Sequence, residues 1–279
     1  MKNPWVTFLS PAKLNLGLKI VGKCENGYHL LKTIFCLIDL FDEVRIQITD
    51  SGKISLIEHN QAWSYNKDLA YKAALLLKET TSCTLGANIK LKKTIPAGSG
   101  LGGGSSNAAT VLVALNQLWQ TGLSQKELIS LGASLGADVP FFIHGENAWA
   151  EGIGEVLTTI EIPEQYFVII CPDFHLATKD VFANVDDKLH LSNDIDEAYL
   201  LGTHDNDLLP AAIKVQPKIC DILEDLKRFG NPALTGSGSA IYLSFNDIDS
   251  AKKVAQNFND KYNTYLVKSI NASPIFFKN

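Results

Sequence analysis

An α+β protein of two domains is predicted by three observations. Several strand-like runs precede the first helical stripe, later helices and strands alternate in an order suited to an antiparallel sheet, and a proline-marked polar break near residue 160 divides the chain. The 279 residues exceed the usual size of one hydrophobic core, so the domains are expected at 1–160 and 161–279.

The opening runs VTFLS (6–10), TIFCLIDL (33–40) and EVRIQIT (43–49) are rich in β-branched and aromatic residues and read as strands. DLAYKAALLLKETT (68–81) is dense in helix formers, and NIKLKKTI (88–95) returns to the partial alternation of a strand. Beyond a glycine-rich loop, Ala108, Val111, Leu112, Leu115, Leu118 and Trp119 form one apolar stripe, which predicts a helix over about 105–120. Gly122 ends that element, and Ser124 with Glu127 supplies a capping box for a further helix running toward Gly136. After EIPEQ (161–165), YFVIICP (166–172) reads as a buried strand. A polar stretch at 184–207 precedes a long helix from Pro210 to about Phe229, strand 240–245, helix 249–258 and strand 262–270.

Bulk properties narrow the function. With 46% hydrophobic and 20% charged residues, the chain has the composition of an ordinary globular protein. Its 25 basic residues are dispersed and outnumbered by 30 acidic ones, which argues against a nucleic-acid partner. Cys24, Cys36, Cys83, Cys171 and Cys220 are odd in number and lack metal-site spacing, so they read as thiols in a reducing compartment. No segment has the length and apolarity of a signal peptide or a membrane span, and a cytoplasmic location is expected.

The segment PAGSGLGGGSSNAA (96–109) carries the chemistry. Glycines at 98, 100, 102, 103 and 104 lie between a predicted strand and the strongest predicted helix, where one or two would make a turn. Glycine permits positive φ and lets backbone N–H groups approach a ligand, which suits phosphate oxygens. The helix start adds unpaired N–H groups, and Ser105 and Ser106 offer hydroxyls to phosphate or its Mg²⁺. Gly98, Gly100 and Gly103 also fit G-x-G-x-x-G, but the second capped helix replaces the strand that a dinucleotide fold requires. A P-loop is excluded because no lysine occurs between Lys93 and Lys126.

Phosphoryl transfer to an alcohol needs a carboxylate to accept the hydroxyl proton. Asp138, in LGADVPFF, is a lone acid among apolar neighbours and reads either as that base or as an N-cap before Pro140. Lys13, in SPAKLNLGLKI, is a single charge in an apolar strand; it either meets a buried carboxylate or carries its ammonium to the surface. In NGYHLL (26–31), Tyr28 and His29 suit a planar ring, although Asn-Gly also marks a turn. A second glycine cluster, TGSGSA (235–240), either closes over phosphates or forms a turn.

Together, PAGSGLGGGSS (96–106) and LTGSGS (234–239) resemble the central and third motifs of the GHMP kinase superfamily. SPAKLNLGLKI, GYH (27–29), GLGGGSSNAA (100–109) and LGADVPFF (135–142) are similar to the branch that phosphorylates a cytidine diphosphate-linked methylerythritol. The resemblance implies a two-domain GHMP kinase fold: an N-terminal α/β-sandwich-like ATP-binding domain, a C-terminal ferredoxin-like domain, and the site between them. It implies ATP and Mg²⁺ as cofactors, with no metal ligand assigned, and either a monomer or a homodimer. It further implies Asp138 as base with Lys13 as its partner, and Pro96, Ala97, Gly98, Ser99, Gly100, Leu101, Gly102, Gly103, Gly104, Ser105 and Ser106 around the ATP phosphates. Asn15, Tyr28 and His29 are implied for the acceptor, Phe182 for packing on its cytosine, and Thr178 for approach to the transferred phosphate. The competing readings are a homoserine or mevalonate kinase of the same superfamily, which the GYH segment argues against, a nicotinamide-dependent oxidoreductase, and a non-catalytic ATP-binding module.

Overall fold

A computed structural model describes residues 3–25, 27–58, 64–186 and 204–276. Asn26 and most of the polar stretch at 184–207 lie outside the described residues.

The chain opens with two long antiparallel strands, β1 (Val6–Lys23) and β2 (His29–Thr49). The expected strands at 33–40 and 43–49 are therefore one element. The interval between them, Phe41 and Asp42, stays in the sheet because β1 runs alongside it, pairing Pro11 with Phe41 and Ser10 with Asp42, and a bulge beside Pro11/Ala12 absorbs the irregularity. A second irregularity lies between Asn15 and Leu18, where Gly17 takes a φ of 84°. Side-chain alternation along β1 puts Ala12, Leu14 and Leu16 into a core and turns Lys13 and Asn15 to the opposite face.

The first half continues through β3 (Ile54–Leu56), α1 (Leu69–Thr81), β4 (Gly86–Lys92), α2 (Gly103–Leu118), α3 (Gln125–Ala133), α4 (Val139–His144), β5 (Ala148–Glu151) and β6 (Val156–Thr159). Helix α1 starts where Asp68 accepts from Ala70 N, and α3 starts at the capping box of Ser124 and Glu127. The stripe on α2 is buried against α1, α4 and the sheet in a core containing Ala73, Leu77, Ile89, Leu112, Leu115 and Phe141. Strands β3, β5 and β6 are three or four residues long, too short to show a periodicity in sequence.

The second half comprises β7 (Tyr166–Cys171), α5 (Thr178–Ala183), α6 (Leu209–Val215), α7 (Ile219–Lys227), β8 (Ala233–Leu234), β9 (Ile241–Phe245), α8 (Ile248–Phe258) and β10 (Asn263–Ile270). The long helix expected from Pro210 to about Phe229 is broken in two. Gln216 is extended, with φ −141° and ψ 91°, because the following Pro217 crowds the helical conformation of the residue before it. Helices α7 and α8 pack Ile222, Leu226, Val254 and Phe258 on Val168, Ile170, Ile241 and Leu243 of the antiparallel sheet.

Strand β10 joins the halves by pairing Ser269 and Ile270 with Ile38 and Leu37, giving the order β3-β4-β2-β10-β7-β9-β8. A third core lies at this junction, where Leu14, Ile34 and Ile38 meet Phe167, Ile169 and Tyr242. The buried face of β1 thus fixes the position of Lys13 and Asn15 relative to both halves.

Candidate active site

Lys13 is 3% exposed, and its Nζ donates to Asn15 Oδ1 at 2.6 Å, lies 3.8 Å from Asp138 Oδ2 and sits 5.1 Å from the centre of the Phe35 ring. Burial pushes the Lys13 ammonium below the usual lysine range, and the neighbouring Asp138 carboxylate opposes that shift. Asp138 occupies the N-cap position of α4, but its side chain makes no capping hydrogen bond and its backbone is helical. The carboxylate is instead presented to Lys13 at the edge of a cleft, with 34% of the side chain exposed.

Asn15 is held from several sides. Its Nδ2 donates to Thr33 Oγ1, its N–H donates to Thr235 Oγ1, and its carbonyl accepts from Tyr242 OH. Those bonds tie the Lys13 strand to the second glycine loop, residues 235–239. The two glycine loops also touch directly, since Ala240 N donates to Ser99 O. A Cβ on Gly100 would sit 2.6 Å from Thr235 O and 3.0 Å from Gly238 O, and one on Gly102 would sit 2.8 Å from the Phe142 ring. Gly98, Gly100 and Gly102 have φ of 67°, 83° and 73°. Glycine is required here both for backbone shape and for close packing of one loop on the other.

A cleft of about 760 Å³ gathers Lys13, Asn15, Tyr28, His29, Gly100, Ser105, Asp138, Thr178 and Phe182. At one end the rings of His29 and Phe182 stack with centres 5.3 Å apart. Nearer the glycine loops, Thr178 and Ser237 share a hydrogen bond of 2.9 Å between hydroxyls. Tyr28 is 62% exposed at the mouth.

Other residues of the first glycine loop do not line this cleft. Leu101 is buried in the junction core, Pro96 accepts from Ser99 Oγ, and Ala97, Gly98 and Gly104 face solvent. Ser106 is fully buried and shares a 2.8 Å hydrogen bond with Ser10 Oγ, so of the two serines it is Ser105 that faces the cleft.

Sequence reasoning missed the support behind this loop. Asp42, fully buried, accepts from Thr94 N, Ile95 N and Asn107 Nδ2 and forms an ion pair with Lys93. Asn107 also donates to Ser10 Oγ and accepts from Lys93 Nζ. One carboxylate thereby ties the entry to the loop to Asn107 in the second turn of α2. An acid inside a β-rich run was the available sign, but nothing local told which residues would meet it.

The family model for the GHMP kinases N terminal domain matches residues 68–146, which include α1, the first glycine loop, α2 and Asp138. The 4-diphosphocytidyl-2-C-methyl-D-erythritol kinase of Neisseria meningitidis serogroup A is 42% identical over 269 residues, covering 96% of each chain. The chain belongs to this kinase family. A crystal structure of 4-(cytidine 5'-diphospho)-2C-methyl-D-erythritol kinase superposes with a TM-score of 0.84 at 31% identity, over 95% of this chain and 99% of the other. The homoserine kinase from Cytophaga hutchinsonii shares the fold, with a TM-score of 0.73 at 20% identity over 96% and 95% of the two chains. For this GHMP kinase fold the α+β reading is correct. No described helix is long and apolar enough to cross a membrane.

Proposed function

We propose that the chain transfers the γ-phosphoryl group of ATP to the 2-hydroxyl of 4-diphosphocytidyl-2-C-methyl-D-erythritol, giving the 2-phosphate and ADP. The observation that carries the reading is the convergence of Lys13, Asp138 and two touching glycine loops on one end of a cleft whose other end is an aromatic stack.

Asp138 accepts the proton of the acceptor hydroxyl as its oxygen forms the bond to the γ-phosphorus and the bond to ADP breaks. Lys13, held by Asn15, favours the ionised carboxylate and places a positive charge beside the reacting oxygens. The first glycine loop, residues 96–106, holds the ATP phosphates, supported by positive φ at three of its glycines and by the placement of Ser105 in the cleft. Thr178 lies beside the transferred group, and Asn15, Tyr28, His29 and Phe182 hold the acceptor, with the cytosine at the aromatic end.

Among the described residues, no group of three or more His, Cys, Asp or Glu side chains is placed to hold a metal ion. Ser105, which faces the cleft, offers a hydroxyl to Mg²⁺ carried on the nucleotide phosphates, where the ion would neutralise developing charge. We place the enzyme in the cytoplasm, where its five free thiols remain reduced.

The test is ADP release by the protein with Mg²⁺ and ATP, offered the cytidine compound, homoserine or mevalonate in parallel. Release with the cytidine compound alone is expected. Release only with another acceptor would discard the substrate, and silence with all three from folded protein would discard the reaction. Replacing Asp138 with alanine should lower turnover about 10²–10⁴-fold while leaving ATP affinity similar; retained turnover would remove Asp138 as base.

A further inference from the structure

The charged side chains lining the described cleft are Lys13, Asp138 and Lys179. Lys13 and Asp138 face one another, with their closest polar atoms 3.8 Å apart, so their charges largely offset. Lys179 is exposed on α5 and forms no ion pair among the described residues. Among the described residues it is the one charged side chain of the lining without an ion pair, and it is positive.

Its place along the cleft matters as much as its sign. Helix α5 carries Thr178, hydrogen-bonded to Ser237 beside the glycine loop, and Phe182, stacked on His29 at the opposite end. Lys179 lies between them in sequence and shares a helix face with Phe182, three positions on. A ligand with its base at Phe182 and its acceptor hydroxyl near Asp138 carries whatever joins the two past Lys179. In the acceptor proposed above, that joining group is a diphosphate. A flexible ammonium at the cleft wall suits it as a point charge.

We propose that Lys179 is a specificity-determining residue that binds the diphosphate of the acceptor and distinguishes it from uncharged or shorter acceptors. This inference rests on the proposed substrate. The ATP phosphates are assigned to the first glycine loop.

The test measures cytidine diphosphate and cytidine binding by calorimetry to the wild type and to the Lys179→Gln, Lys179→Arg and Lys252→Gln variants, the last removing an exposed charge from α8. Lys179→Gln should weaken cytidine diphosphate about tenfold, leave cytidine unchanged and flatten the salt dependence of binding. Lys179→Arg should restore most of the loss, and Lys252→Gln should match the wild type. In turnover with the full acceptor, the Lys179→Gln loss should fall on acceptor KM, with ATP KM unchanged. An unchanged preference for cytidine diphosphate over cytidine in Lys179→Gln would overturn the proposal, as would a wild type with no such preference. Failure of the substrate reading is separate: it would show as no acceptor-dependent ADP release by the wild type, whatever the binding data give.

Discussion

Replacing Asp42 with asparagine probes the buried support of the first glycine loop. Asp42 Oδ1 accepts from Thr94 N and Ile95 N, whereas Oδ2 accepts from Asn107 Nδ2 and pairs with Lys93. An asparagine oxygen can keep the two backbone bonds. Its amide group must then face the Asn107 amide and the Lys93 ammonium, which places donors against donors and leaves a cation, 19% exposed, without its counterion. Removing one partner of a buried pair costs about 3–5 kcal/mol. At the melting temperature of a chain this size, that corresponds to a fall of roughly 10 °C. Differential scanning calorimetry gives the stability loss, and ATP KM shows whether the loop has moved. Adding Lys93→Met to Asp42→Asn should recover part of the stability, because the unpaired charge is gone while the backbone bonds remain. A loss below about 1 kcal/mol for Asp42→Asn, the scale of an exposed pair, would refute the reasoning.

Three further outcomes follow from the site. The Lys13 pKa is lowered by burial, so the folded protein gives up this proton at a lower pH than the unfolded chain. The cost of burying the ammonium is full below the folded pKa and is relieved between the folded and the unfolded pKa, while the charge proposed to assist Asp138 is lost as pH rises through the folded pKa. The alkaline limb of kcat/KM should therefore lie below the usual lysine range, and in Lys13→Arg, if the variant folds, it should move upward because guanidinium stays charged; an identical limb would assign it to another group. Gly100→Ala combines a φ of 83° with a Cβ only 2.6 Å from Thr235 O, so it should cost at least about 1–3 kcal/mol and raise ATP KM, read by thermal melting and initial rates. Phe182→Ala removes the stack on His29 and should raise acceptor KM about tenfold with little change in ATP KM; an unchanged acceptor KM would take the cytosine away from this end of the cleft.

Several elements were legible in sequence because a few neighbouring residues decide them. The apolar stripe of α2 and the capping box of Ser124 and Glu127 act within one or two helical turns, and both stand as read. The break between α6 and α7 was equally local. Pro217 was its sign, and the apolar spacing on either side masked it. The dense glycines of residues 98–104 also pointed to a site without any knowledge of the fold.

What the chain's own residues determined, then, was the capped helices, the strand-forming runs, the glycine loops and the residue types suited to phosphoryl transfer. Tertiary structure decided which of those residues meet. Lys13 and Asp138 are far apart in the chain and become neighbours only because one face of β1 is buried in the junction core while the start of α4 is packed beside the glycine loop. Asp42 gained its role from the segment that follows β4, from α2 and from β1 together. The physical reason is range: backbone preference and capping operate within a few residues, whereas the fate of a buried charge depends on partners that the folded chain brings from any distance.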